Sequence, residues 1–141
     1  MTTSDNSWPP DLTDRILHGN DLPGRHAIDR DLLVQEIRSY PRWPFKHEVD
    51  ALRRLLVLAR DDSGQRTRVR EFLMAWWNAP RCGGFDVMDV GGLDAELAAD
   101  LVVVFAMIAR ISLYPSDLSA DLVKEFRELD AFWYQTPSDR R

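Results

Sequence analysis

FLMAWWNAPRCGGFD, residues 72–86, is where the chain turns its main corner. Leading into it, Val69, Phe72, Leu73 and Trp76 recur at helical spacing and predict a buried helix face over about 65–78. Pro80 lacks the N–H that would continue the ladder, and Gly83 and Gly84 allow backbone angles other residues avoid. The corner therefore separates two helices. Successive helical residues point ~100° apart, so Trp76 and Trp77 cannot share a direction. One is expected to fill the core. The other is expected to lie over a neighbouring element or at a surface, where a tryptophan is an interface candidate.

On the C-terminal side, residues 78–92 read as a loop containing Cys82, Asp86, Asp89 and a second glycine pair, Gly91 and Gly92. Asp94 is placed to cap the next helix, with Glu96 in its first turn. Leu97, Leu101, Val104, Ile108 and Ile111 repeat at helical spacing, while Val102, Val103, Phe105 and Met107 fill the other sides. A helix apolar all round is expected to be enclosed by others, which makes residues 97–111 the central post. Arg110 suits the negative end of that helix and is expected to pair with a loop carboxylate. After Tyr114 and Pro115 a last helix, from about 117 or 119 to 134, buries Leu122, Phe126, Leu129 and Trp133.

On the N-terminal side, Asp61, Asp62, Ser63 and Gly64 form a turn. Before it, Phe45, Val49, Leu52, Leu56 and Ala59 recur at four, three, four and three residues, a single buried stripe. So short a turn makes the two helices antiparallel neighbours. Residues 40–45, YPRWPF, exclude helix and read as an extended linker pinned to the core by Trp43. Asp29 is placed to cap a helix carrying Leu32, Leu33, Ile37 and Tyr40, and Asp11 one over 11–18. Residues 1–10 are expected to be a disordered leader and 136–141 a flexible tail. The expected fold is an all-α, single-domain bundle of five to six helices over 11–135, around 97–111.

A chain of 141 residues can bury a full core without staples, and its single cysteine cannot form an internal disulfide. No apolar run approaches the ~20 residues of a membrane span, and no signal peptide is recognisable, so a cytoplasmic protein without a membrane partner is expected. The net charge of −5 is unevenly spread: from 82 to 139, eleven carboxylates face Arg110, Lys124 and Arg127 alone. That field disfavours direct nucleic-acid binding there and favours a basic partner.

Three sets of residues are candidates for a site. Asp117, Asp121, Glu125 and Glu128 recur about once per turn, a spacing near that of phosphates along a strand, and could occupy a basic groove. The plainer reading is a solvated face relieved by Lys124 and Arg127. Arg66, Arg68 and Arg70, with Arg53 and Arg54, could contact phosphates; the plainer reading pairs them with Asp61, Asp62 and Glu71. Cys82 with Asp86 could centre a small enzyme only with His18, His26 or His47 beside the thiol. Otherwise Asp86 and Asp89 cap turns and Cys82 packs as a small apolar group. Asp86, Asp89 and Asp94 complete no calcium loop, and Cys82 with three scattered histidines makes no zinc site, so no metal or cofactor is expected.

Gly64 and Gln65, the run 72–79, the run 82–86, Ile108 to Arg110, and Tyr114 with Pro115 together resemble an uncharacterised proteobacterial domain family of unknown function. Its pattern is FLLAWWNA, CGGFD, IAR and YP, and it is carried on plasmids, integrative elements and prophages. The resemblance covers about 49–118. It departs at Val90 and Gly91, where the family tends to have Leu-Trp, and in the last helix. It implies a helical fold and a mobile-element origin, with no mechanism. The leading expectation is a non-enzymatic small binding protein that occupies a partner protein through Asp117, Asp121, Glu125, Glu128 and Trp77. Its most concrete form is an anti-CRISPR type of inhibitor that blocks a basic nucleic-acid-binding complex by acidic mimicry. The alternatives are a DNA-binding or replication accessory protein using the arginines, and an enzyme centred on Cys82.

Overall fold

In the computed structural model of the chain, residues 29–39, 42–61 and 64–135 are described, the side chains of 134 and 135 excepted. The expected leader, the helix over 11–18, the tail, and His18, His26 and Asp62 lie outside the described residues. Five α-helices and no strand occur among the described residues: α1 Arg30–Arg38, α2 Lys46–Leu58, α3 Gly64–Cys82, α4 Ala95–Ile111 and α5 Ala120–Gln135. Short 3₁₀ turns span Val87–Gly92 and Pro115–Asp117. The fold is all-α, as expected.

Met1–Glu36 and Ile37–Arg141 form separate compact units. In the first, Asp29 caps α1 as anticipated: its carboxylate accepts the N–H groups of Asp31 and Leu32 at 2.9 and 3.2 Å.

In the second unit α2 touches α3, α4 and α5. Leu52, Leu56 and Ala59 are buried as their spacing required, and Ala51 and Leu55 widen the stripe. Each leucine so enclosed stabilises the fold by about 1.5–3 kcal/mol. Val69, Phe72, Leu73 and Trp76 of α3 and Leu122, Phe126, Leu129 and Trp133 of α5 complete the core. Trp76 fills it, donating from Nε1 to the Leu113 carbonyl at 3.1 Å and meeting the Phe126 ring edge-on at 5.5 Å. Trp77 lies over the neighbouring helix, stacked on that same Phe126 ring at 5.7 Å.

The corner is sharper than a simple helix end. Asn78 leaves helical geometry at φ −165° and ψ 81°, then residues 79–82 make one more turn with Pro80 near its start, where a missing N–H is tolerated. Gly83 closes the turn at φ +95°, in the region glycine favours, with its N–H donating to the Ala79 carbonyl. Asp86 then accepts the Met88 N–H at 3.0 Å and starts the 3₁₀ turn.

Two expectations are corrected here. Helix α4 is not enclosed on all sides: Leu101, Val104, Met107 and Ile111 are buried, but Val102 and Phe105 are 54% and 64% exposed. Their hydrophobicity demands cover, and no described element supplies it. Arg110 meets, among the described residues, a carboxylate that stands on a helix rather than in a loop. Its guanidinium is buried against Glu48 of α2, both 1% exposed, with Nη1 and Nη2 each donating to the carboxylate at 2.5 Å. Nη2 also donates to the Trp43 carbonyl at 2.9 Å, and the guanidinium lies 4.0 Å from the Phe45 ring centroid. Glu48 in turn accepts the Phe45 N–H at 2.8 Å. The linker is therefore fastened through the Trp43 backbone; its indole is 49% exposed.

Candidate functional site

At 100° per residue, Ala95, Ala98, Ala99, Val102, Phe105, Ala106 and Ala109 share the outward face of α4. All are exposed or half-buried, and none is polar. Single exposed apolar residues are ordinary; a continuous face of them marks an interaction surface. Along one edge of it lies a groove of about 420 Å³. Phe72, Ala75 and Trp76 of α3 form one wall, Phe85, Val87 and Val90 a second, and Leu101, Val102, Phe105 and Ile108 the third. Val87 stands at its rim, 77% exposed, and is followed in the chain by Met88, 82% exposed.

The loop that closes the groove is fixed at three points. Phe85 packs edge-on to Phe72 with centroids 5.5 Å apart. Asp89 accepts from Arg68 at 2.5 Å, and the Asp94 N–H donates to the Gln65 side-chain oxygen. Asp94 thus occupies the capping position of α4 without its carboxylate making the cap bond that its residue type suggests. Ties to α3 at both ends and in the middle make the groove preformed, as ligand-binding clefts usually are. Its surroundings are acidic: residues 82–109 carry Asp86, Asp89, Asp94, Glu96 and Asp100 and no Lys, Arg or His. Arg68 meets Asp89, and Arg54 meets Asp100 with two bonds of 2.9 Å.

The acidic stripe is less continuous than its spacing suggests. Helix α5 begins at Ala120, so Asp117 sits apart in the preceding 3₁₀ turn. Glu125 pairs with Arg53 at 3.0 Å and Glu128 with Arg60 at 2.7 Å, both from α2. The relief expected from Lys124 and Arg127 on the same helix comes instead from across the helix interface. Asp117 and Asp121 are exposed and make no ion pair among the described residues. Trp77 is half-buried on Phe126, which leaves only part of the indole for a partner.

The three arginines do not share a surface. Arg70 is 1% exposed, donating to the Ala59 and Asp61 carbonyls at 3.1 and 3.2 Å, with its guanidinium 4.8 Å from the Phe132 ring centroid. It ties the α2–α3 turn to α5, which corrects its expected place on a solvated face. Arg66 pairs with Asp61 at 2.7 Å.

Beside the glycine corner a hollow of about 250 Å³ is lined by Glu71, Cys82, Gly83, Gly84, Asp86 and Trp133. The Cys82 sulfur is 3.9 Å from the Asp130 carboxylate, which Arg81 also contacts at 2.6 Å. Among the described residues no histidine lines the hollow; His47 stacks on Phe45 at 6.1 Å. Among the described residues the arrangement offers a thiol beside carboxylates, whose negative charge does not activate it.

The sequence reading missed both the buried Glu48 and the exposed side of α4. A signal for the first was available in the Glu three residues into α2, the position that reaches back to the N-cap N–H. The second was visible as a run of alanines with Val102 and Phe105 on one side of the helical wheel. Among the described residues no helix is long and apolar enough to cross a membrane. A family model described as a family of unknown function (DUF7673) matches residues 49–134, running past the residues that carried the resemblance and through most of α5. No curated protein and no solved structure gives a significant match.

Proposed function

The chain belongs to a family of unknown function, DUF7673, and from that premise we propose that it is a non-enzymatic protein-binding module whose working surface is the outward face of α4 with its adjoining groove. The observation that carries this reading is Phe105, 64% exposed beside a preformed apolar groove of about 420 Å³. Aromatic side chains in such settings dominate interface energetics, and leaving them in water has no benefit to the folded chain. In the setting we propose, a mobile element's product acts in the cytoplasm and the partner is a host protein.

Phe105→Gln tests it. The site is exposed and glutamine is a good helix former, so folding stability is expected to change by no more than ~0.5 kcal/mol. Affinity for the partner captured by the wild-type chain from host extract is expected to fall at least ~10-fold, as for a modest hot spot. Equal capture by both chains overturns the reading.

A second reading is favoured by Asp117 and Asp121, which stand exposed and outside any ion pair among the described residues. It is the inhibitor form, anti-CRISPR in type, in which α5 blocks a basic nucleic-acid groove. Asp121→Lys/Glu125→Lys/Glu128→Lys is expected to abolish capture under this reading while helical circular dichroism persists. The two lost cross-helix pairs cost only about 0.2–1 kcal/mol each. Undiminished capture removes it.

A further inference from the structure

Resting on the reading that this face docks protein, we propose that its occupant is an amphipathic α-helix of another protein, apolar on one side and flanked by lysine or arginine. The shape argues for a helix. Ala95, Ala99, Val102, Ala106 and Ala109 follow one another at four, three, four and three residues, a straight ridge of small side chains about 21 Å long. Small residues at such spacing let a second helix approach to an axis separation of about 8 Å. A helical partner brings its own backbone hydrogen bonds already made. An extended segment would have to bury unpaired N–H and C=O groups against side chains that offer none. The groove beside Phe105 then takes one or two large apolar side chains from the incoming helix.

Charge selects the flanks. Asp94, Glu96 and Asp100 lie at the α2 side of α4 beside Arg53 and Arg54, and of these carboxylates Asp100 is taken up by Arg54. Asp94 and Glu96 are exposed and make no ion pair among the described residues. A helix with a basic edge meets these two carboxylates on the α2 side. A second copy of this chain would set Asp94 and Glu96 against the same two carboxylates, and an anionic membrane would meet them in the same way.

Labelled 18-residue peptides with one leucine stripe test the proposal by fluorescence anisotropy: one flanked by lysine, one by glutamate, and a lysine form interrupted by two central prolines. The leucine–lysine helix is expected to bind, with affinity falling at least ~10-fold on Phe105→Gln and again on Asp94→Lys/Glu96→Lys. The glutamate and proline forms are expected not to bind. Equal binding of the glutamate form, or of the proline form, overturns the proposed chemistry, and leaves the docking face standing if Phe105→Gln still weakens it. Leucine–lysine binding unaffected by Phe105→Gln removes the face itself. A dimer in sedimentation that Phe105→Gln dissociates would make a second copy the occupant and overturn the proposal.

Discussion

Glu48→Leu is expected to destabilise the chain by about 3–5 kcal/mol, because it strands the Arg110 guanidinium inside the bundle without its counter-ion. Both groups are 1% exposed, and the two Arg110 donors have nowhere to turn for water. The Trp43 carbonyl and the Phe45 ring also meet the guanidinium, but neither carries a charge. Removing both partners differs from removing one. Glu48→Leu with Arg110→Met exchanges a desolvated pair for apolar packing, and most of the loss is expected to be recovered. Guanidinium denaturation of the single and double variants measures both. A single variant as stable as the wild type would mean that the pair is not enclosed.

The same pair gives the bundle a pH dependence. Burial acts to raise the Glu48 pKa, but the hydrogen bonds from Arg110 and the Phe45 N–H, with the Arg110 charge, outweigh it, so the carboxyl titrates below its ordinary value. A depressed folded-state pKa means that the stabilisation is complete above the unfolded value of ~4.3 and is lost as the pH falls through the folded one. Acid denaturation of the wild type should therefore include a component below about pH 4 that Glu48→Leu/Arg110→Met lacks.

Phe126→Ala is expected to cost about 3–5 kcal/mol, the range for emptying a buried aromatic site. Its ring is wholly enclosed, with Trp76 edge-on to one side of it and Trp77 stacked nearly parallel at 14°. Both indoles lose their contact at once, and neither can follow: Trp76 is held by its bond to Leu113, and Trp77 by the helix turn before Asn78. Thermal melting gives the cost, and a red shift of tryptophan emission reports the opened packing. A loss under about 1 kcal/mol would mean that the three rings do not form the unit described.

Residue spacing made the second unit's helices legible because each is amphipathic in the ordinary way. Leu52 and Leu56, Phe72 and Leu73, and Leu122, Phe126, Leu129 and Trp133 all point where a 3.6-residue period sends them. Charged residues were not legible in this way. Arg70 and Arg110 look like surface residues in sequence, since what buries them is a partner far along the chain, and spacing says nothing about partners 11 or 62 residues away. Helix α4 shows the complementary limit. Hydrophobicity on every side establishes that a helix needs cover all round, but not that its own chain provides it. Hydrophobicity alone sends Val102 and Phe105 to the core, and their exposure turns the most apolar helix into the candidate site. The acidic stripe shows the opposite limit: Glu125 and Glu128 lie along one helix, while the arginines they meet stand on α2.

The binding account stands or falls on whether the outward face of α4 becomes covered when the chain meets its partner. Hydroxyl-radical footprinting of the free chain and of the captured complex tests this directly. Met88 and Phe105, 82% and 64% exposed, should label strongly in the free chain and lose most of that labelling in the complex. Tyr114, 66% exposed and outside the groove lining, should label equally in both. Met88 and Phe105 labelling unchanged in the complex would contradict the account.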